Sequence, residues 1–143
     1  MMEDKEKVVS FSISQIVTEQ FAIIPDAYME NKVIEIQHEL NFGIDKENKR
    51  IFARIQSRFK NKGGSPFLII SVVCHFSIKS DNWSLLIEND KLKIPKNFAT
   101  HIGMLVAGLL RGVLHAKTEN TYFNRFLLPT IDMATLVTDD IIF

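Results

Sequence analysis

The residues best suited to chemistry in this chain are His38, His75, His101 and His115, a single thiol at Cys74, and the late carboxylates Asp132, Asp139 and Asp140. A catalytic or metal site needs such groups to converge, and their spacing does not bring them together. His101 and His115 fall on one helix-length stretch, separated by about 21 Å at the α-helical rise, so they cannot share a metal within one protomer. The sequence contains no His-Glu-x-x-His, Cys-x-x-Cys, His-x-His, phosphate-binding Gly-x4-Gly-Lys-Ser/Thr or Gly-x-Ser-x-Gly motif. Gly63 and Gly64 lie between two strand patterns rather than at the start of a helix, which argues against a phosphate cradle. His38 and Cys74 sit on apolar strand faces, where a histidine held by a hydrogen bond and a thiol acting as a small hydrophobe are the simplest readings. The carboxylates read as a solvated end of the chain. No catalytic residue, metal site or cofactor is therefore expected. An enzyme acting on a small apolar ligand between sheet and helix has no candidate acid–base pair.

The totals narrow the remaining options. The 143 residues suit one domain spanning 1–143, and 17 basic against 17 acidic residues give no net charge to attract nucleic acid or an anionic membrane. Arg50, Arg54, Arg58, Lys60 and Lys62 form a stripe, but Phe52 is the only aromatic on its outward face, too little for a single-strand stacking platform. One cysteine excludes an intrachain disulfide framework and fits a cytoplasmic location. The opening MMEDKEK lacks the cationic start, apolar core and small-residue cleavage site of a signal peptide.

The elements follow from hydrophobic period. Val9, Phe11 and Ile13 alternate with serines, and Val17, Phe21 and Ile23 continue the odd positions of a strand. Ile34, Ile36, His38, Leu40, Phe42 and Ile44 define a second strand, and Ile51, Ala53, Ile55, Ser57 and Phe59 a third. These two form a hairpin whose inward faces require an even-length loop. A four-residue loop at 45–48 would set Glu39 opposite Arg54 and Glu35 opposite Arg58. Turn chemistry at 62–66 precedes a fourth strand over 67–78, apolar on both faces and therefore central. Residues 80–96 are irregular. The residues after 122, interrupted by Pro129, read as a covering segment up to Val137. The fold class is α+β: a four-stranded antiparallel sheet with one long helix on one face.

That helix is read over residues 98–116, with Pro95 or Asn97 marking its start. It is apolar nearly all round, which calls for burial nearly all round. Two rows of small residues, Ala99–Gly103–Ala107 and Gly108–Gly112–Ala116, would admit another backbone. Gly103, Ala107, Gly108 and Gly112 are the candidate interface of a homo-oligomer, a dimer or tetramer. His101, Arg111 and His115 interrupt the stretch, so membrane insertion is not expected. The apolar residues Trp83, Leu85, Leu86, Ile87 and Phe98, with Tyr122, Phe123, Phe126 and Leu127 further on, form the candidate surface for binding a partner.

From residue 98 to 137 the chain resembles the C-terminal part of SecB-type export chaperones. There a small-residue helix with an arginine near its end leads to a Leu-x-Pro-x-(Asn/Asp)-like segment. Leu110–Arg111–Gly112 matches the first feature, and Leu127–Leu128–Pro129–Thr130–Ile131–Asp132 the second. The resemblance implies a holdase without cofactor that binds unfolded polypeptides in apolar grooves and assembles as a dimer of dimers. The mixed charge of Glu35 and Glu39 with Arg54 and Arg58 departs from the acidic sheet on which SecA docks in that family, which leaves SecA a doubtful partner. Two other readings stand beside this one: a chaperone dedicated to an antitoxin, and an oligomeric structural or regulatory protein binding one folded partner.

Overall fold

The structure, a computed structural model, describes residues 9–143. Residues 1–8, and with them the reading of MMEDKEK, lie outside the described residues. Four strands, β1 (Phe11–Ile23), β2 (Ile34–Asp45), β3 (Arg50–Asn61) and β4 (Pro66–Ile78), pair antiparallel in the order β1-β4-β3-β2. β4, apolar on both faces, lies inside the sheet as its composition demands. Its even-numbered residues and the odd-numbered residues of β3 face the same side and are buried there. The turn into β4 passes through Gly63 at φ +78°, and the Gly64 amide closes it on the Asn61 carbonyl at 2.8 Å.

The β2–β3 hairpin has the expected loop length but a different register. Asp45 pairs with Arg50, so the loop is 46–49. The Asp45 carboxylate accepts from the Asn48 amide (3.2 Å) and from Asn48 Nδ2 (2.8 Å), and Lys49 takes a left-handed φ of 53°. Asp45 thus ends the strand and organises the turn at once. Every cross-strand pair moves by two residues: Glu35 faces Lys60, with 3.8 Å between their charged atoms, Gln37 faces Arg58, Glu39 faces Gln56 and Asn41 faces Arg54. The expected Glu39–Arg54 and Glu35–Arg58 pairs do not form. Arg54 instead reaches over β4 to Glu19 of β1 at 2.7 Å, and Gln56 reaches Gln20 at 3.0 Å above the small side chain of Ser71.

β1 does not keep its odd residues on one face. Its register with β4 slips between Ile13 and Gln15 and again between Thr18 and Gln20. Phe11 and Ile13 stand opposite Ile78 and Phe76, Ile16 and Thr18 opposite Cys74 and Val72, and Phe21 and Ile23 opposite Ile70 and Leu68. Opposed residues share a face, so the helix side of β1 carries Phe11, Ile13, Ile16, Thr18, Phe21 and Ile23. An unbroken period of two would have driven Gln15 and Glu19 into the apolar side. Each bulge turns one of them outward.

Between sheet and long helix run a short helix α1 (Ser80–Trp83), a 3-10 turn (Ser84–Leu86) and the strands β5 (Ile87–Glu88) and β6 (Lys91–Ile94). The helix α2 (Lys96–Thr118) packs on β3 and β4 through Ala99, Ile102, Val106, Leu110 and Leu114. It is long and apolar enough to cross a membrane, with mean hydropathy 1.3. Its apolar stripe is packed on the sheet, as in the core helix of a folded domain. Beyond it come a 3-10 turn (Tyr122–Arg125), a short helix α3 (Met133–Leu136) and β7 (Ile141–Ile142), which joins β5 and β6 in a second small sheet. Leu128, Met133 and Val137 are buried against the core, so this segment does cover the domain.

Candidate functional site

The groups that could carry chemistry stay apart. His38 Nδ1 meets Ser57 Oγ at 2.7 Å on the helix side of the sheet, and Ser57 is fully buried. Burial pushes the His38 imidazole below its ordinary range. The pair satisfies two polar groups inside an apolar layer and offers no accessible nucleophile. His115 lies near Glu119 (3.6 Å) and Asn124 (3.4 Å) on the exposed end of α2, far along the helix from His101. Among the described residues no three His, Cys, Asp or Glu side chains are grouped to hold a metal. An open depression of about 390 Å³ on the outer sheet face is lined by polar side chains, Glu19, Gln20, Asn41, Arg54 and Gln56 among them. The hydrogen bonds and ion pair already described join four of these to one another.

What the surface does offer is apolar area, and the structure divides the sequence candidates. Leu85 and Ile87 are exposed, Ile87 to 49%. Leu86 between them is 1% exposed and Trp83 is also buried. Those two belong to the domain's own core and cannot meet a client directly. The 3-10 turn explains the split, because it sends three consecutive apolar residues in different directions. Phe98 is half-buried, edge-on to Phe11 of β1 at 5.5 Å between ring centres.

The small-residue rows divide in the same way. A Cβ at Gly103 would lie 2.8 Å from Met133 Sδ and 3.2 Å from Leu40 Cδ2, and Ala107 is buried. That row seats α2 on its own sheet and covering segment. The interface assignment of Gly103 and Ala107 is corrected accordingly. Gly108 and Gly112 face open space on the outward side of α2, next to Met104, which is 61% exposed.

Sequence reasoning missed the apolar side of β1. Because α2 packs mainly over β3 and β4 and reaches β1 at Phe11, the stretch of the edge strand around Ile13 and Ile16 lies outside its cover. Ile13 and Ile16 are each 46% exposed on the helix side. Leu105 and Leu109, only partly buried, form the neighbouring flank of the helix. The signal that could have found Ile16 is the cost of burying Gln15 and Glu19, which an uninterrupted strand would require.

No family model matches the sequence, and no curated protein matches it. Among solved structures, the SecB-like chaperone Rv1957 of Mycobacterium tuberculosis, in complex with a ChAD peptide from the HigA1 antitoxin, matches over 85% of this chain and 90% of that one, at TM-score 0.53 and 12% identity. The fold is therefore SecB-like: α+β, with a four-stranded antiparallel sheet and one long helix on one face, as expected from the sequence.

Proposed function

We propose that this chain is a SecB-like chaperone, a holdase that binds extended or non-native polypeptides on apolar surface and uses no cofactor. The observation that carries the reading is the exposure of Ile13, Ile16, Leu85 and Ile87 on a SecB-like fold. Side chains of this kind lose water-exposed area on binding a client, worth about 25 cal/mol per Å² before ordering costs. Leu85, Ile87 and Phe98 are the client contacts retained from the sequence, extended by Ile13 and Ile16. The outward face of α2, with Gly108 and Gly112, is the surface for a second copy of the chain, in a dimer or tetramer. A cytoplasmic location fits the free thiol. The solved neighbour's antitoxin peptide supports a dedicated client as the narrower form of this reading. A role in export is the alternative form. Its partner SecA would have to dock on a sheet face whose charges are mixed in sign, with Glu19 paired to Arg54 and Glu35 to Lys60.

The test is aggregation of a chemically unfolded client followed by light scattering. Suppression at a few-fold excess of this protein is the expected result. No suppression, together with a pulldown that recovers one folded partner in stoichiometric amount, would favour an oligomeric regulatory protein instead.

A further inference from the structure

Residues 138–143 fold back along β6 and complete the sheet β5-β6-β7. The attachment is small in extent. Ile141 stands opposite Ile94, Ile142 stands opposite Lys93, and the Phe143 amide donates to the Leu92 carbonyl at 2.9 Å. One residue earlier, the Asp140 carboxylate accepts from the Lys96 amide at 2.7 Å and pairs with the Lys93 ammonium at 3.3 Å. Pro95, at the cap of α2, has no side chain to offer this amide, and the first turn of α2 holds no acidic residue. Asp140 therefore does from a distance what a capping residue does locally. Ile142 remains 61% exposed.

What β6 and α2 present to this strap is main chain along the strand, the charges of Lys93 and Lys96 beside the Asp140 carboxylate, and the edge of the core, on which Ile141 and Phe143 pack. Main-chain bonds of this kind accept any extended segment. The selective elements are the carboxylate and the inward position that Ile141 fills beside Ile94. A two-residue strand pairing is among the least stable units of a fold and opens readily.

We infer that β6 is a strand-addition site for extended peptides in which a carboxylate precedes two β-branched apolar residues, and that residues 138–143 occupy it as a displaceable placeholder. The inference rests on the reading that this protein binds extended polypeptide, and it specifies the sequence such a segment carries. A labelled peptide of residues 138–143 (TDDIIF) is the probe, followed by fluorescence anisotropy. It is titrated into the unaltered chain, into full-length Asp140→Lys and into a chain lacking residues 139–143, with helix content checked by circular dichroism. The released chains should bind the probe at least about tenfold more tightly than the unaltered chain. A probe with Asn at the position of Asp140 should lose most of that gain. Equal affinity in unaltered and released chains of retained helix content overturns the inference. Should both released chains lose helix, Phe143→Pro, which removes only the amide donor and the ring, supplies the same comparison. Aggregation suppression by the unaltered chain separates the two readings. Suppression without a release effect sinks the placeholder alone, and probe capture on release without suppression sinks the holdase alone.

Discussion

Arg111 and Leu128 are joined by a hydrogen bond of 3.1 Å from the guanidinium Nε to the Leu128 carbonyl, and the same side chain donates from Nη2 to the Pro129 carbonyl at 3.2 Å. The arginine near the end of α2 and the Leu-x-Pro segment after it were two separate features of the sequence. The structure makes them one device. A helix side chain holds two carbonyls of the covering segment, and Pro129, which has no amide of its own, lets the chain turn there without losing a donor. Leu128 is thereby pressed into the core.

Arg111→Ala should loosen the covering segment without disturbing the sheet. The loss of two charge-assisted bonds at a partly exposed site should lower stability by about 1–2 kcal/mol, read as a shift of the urea midpoint. Arg111→Lys should recover little of it, because one ammonium cannot reproduce the planar fork that spans two carbonyls. Limited proteolysis should cut residues 126–132 of Arg111→Ala before any other described segment. Identical cleavage of variant and parent would show that packing of Leu128 and Met133 alone holds the segment.

Gly43 lies opposite Phe52 on the outer sheet face, and a Cβ at Gly43 would overlap Cζ at the tip of the Phe52 ring. That ring continues to His75 at 5.7 Å between centres. Gly43→Ala must displace the ring and should cost about 1–2 kcal/mol. In a Phe52→Ala background the sign should reverse, because the ring is gone and alanine suits a strand interior better than glycine by about 0.5–1 kcal/mol. A thermal-unfolding double-mutant cycle measures both. Equal effects of Gly43→Ala in the two backgrounds would refute the contact.

The parity of β2, β3 and β4 was legible because their inward residues keep a strict period of two and the sheet buries that face. The β2–β3 register was not, because Asp45 serves strand and turn together and composition alone does not say which role sets the loop. β1 misled for a related reason: two bulges reset its parity, and only the cost of burying Gln15 and Glu19 hints at them. Leu85, Leu86 and Ile87 look alike in sequence, yet a 3-10 turn buries only the middle one. The two small-residue rows of α2 are equally alike, and which of them faces the sheet depends on how the helix is rotated. β7, at two residues, is too short for any period to register.

The two faces of α2 can be separated by mutation. Gly108→Ala, in open space, should raise protomer stability by about 1 kcal/mol through helix propensity. Gly103→Ala gains the same propensity but must move the buried Met133 thioether, so its net effect should be near zero or unfavourable. Gly103→Leu should destabilise strongly without any specific effect on assembly. Gly108→Leu and Gly112→Leu should leave the protomer folded and lower the assembled mass in multi-angle light scattering. An unchanged mass in both would remove the outward face of α2 from the proposed contact between copies.

Cys74 lies on the helix side of β4, fully buried, and burial pushes its thiol up to about 11 from an ordinary value near 9. Desolvation disfavours the thiolate in the folded state only. Between these two values the unfolded chain releases a proton that the folded chain keeps, so stability attributable to this site is intact below pH 9 and declines as pH rises toward 11. Cys74→Ala should flatten the alkaline limb of the stability–pH curve at the cost of a small change in packing. A disulfide reagent gives a second reading of the same burial. At neutral pH the native thiol should react only as fast as the sheet opens, with the rate rising in step with urea as the folded population falls. Immediate reaction in the absence of denaturant would mean that the helix side of β4 is reached by solvent, and that α2 does not cover it.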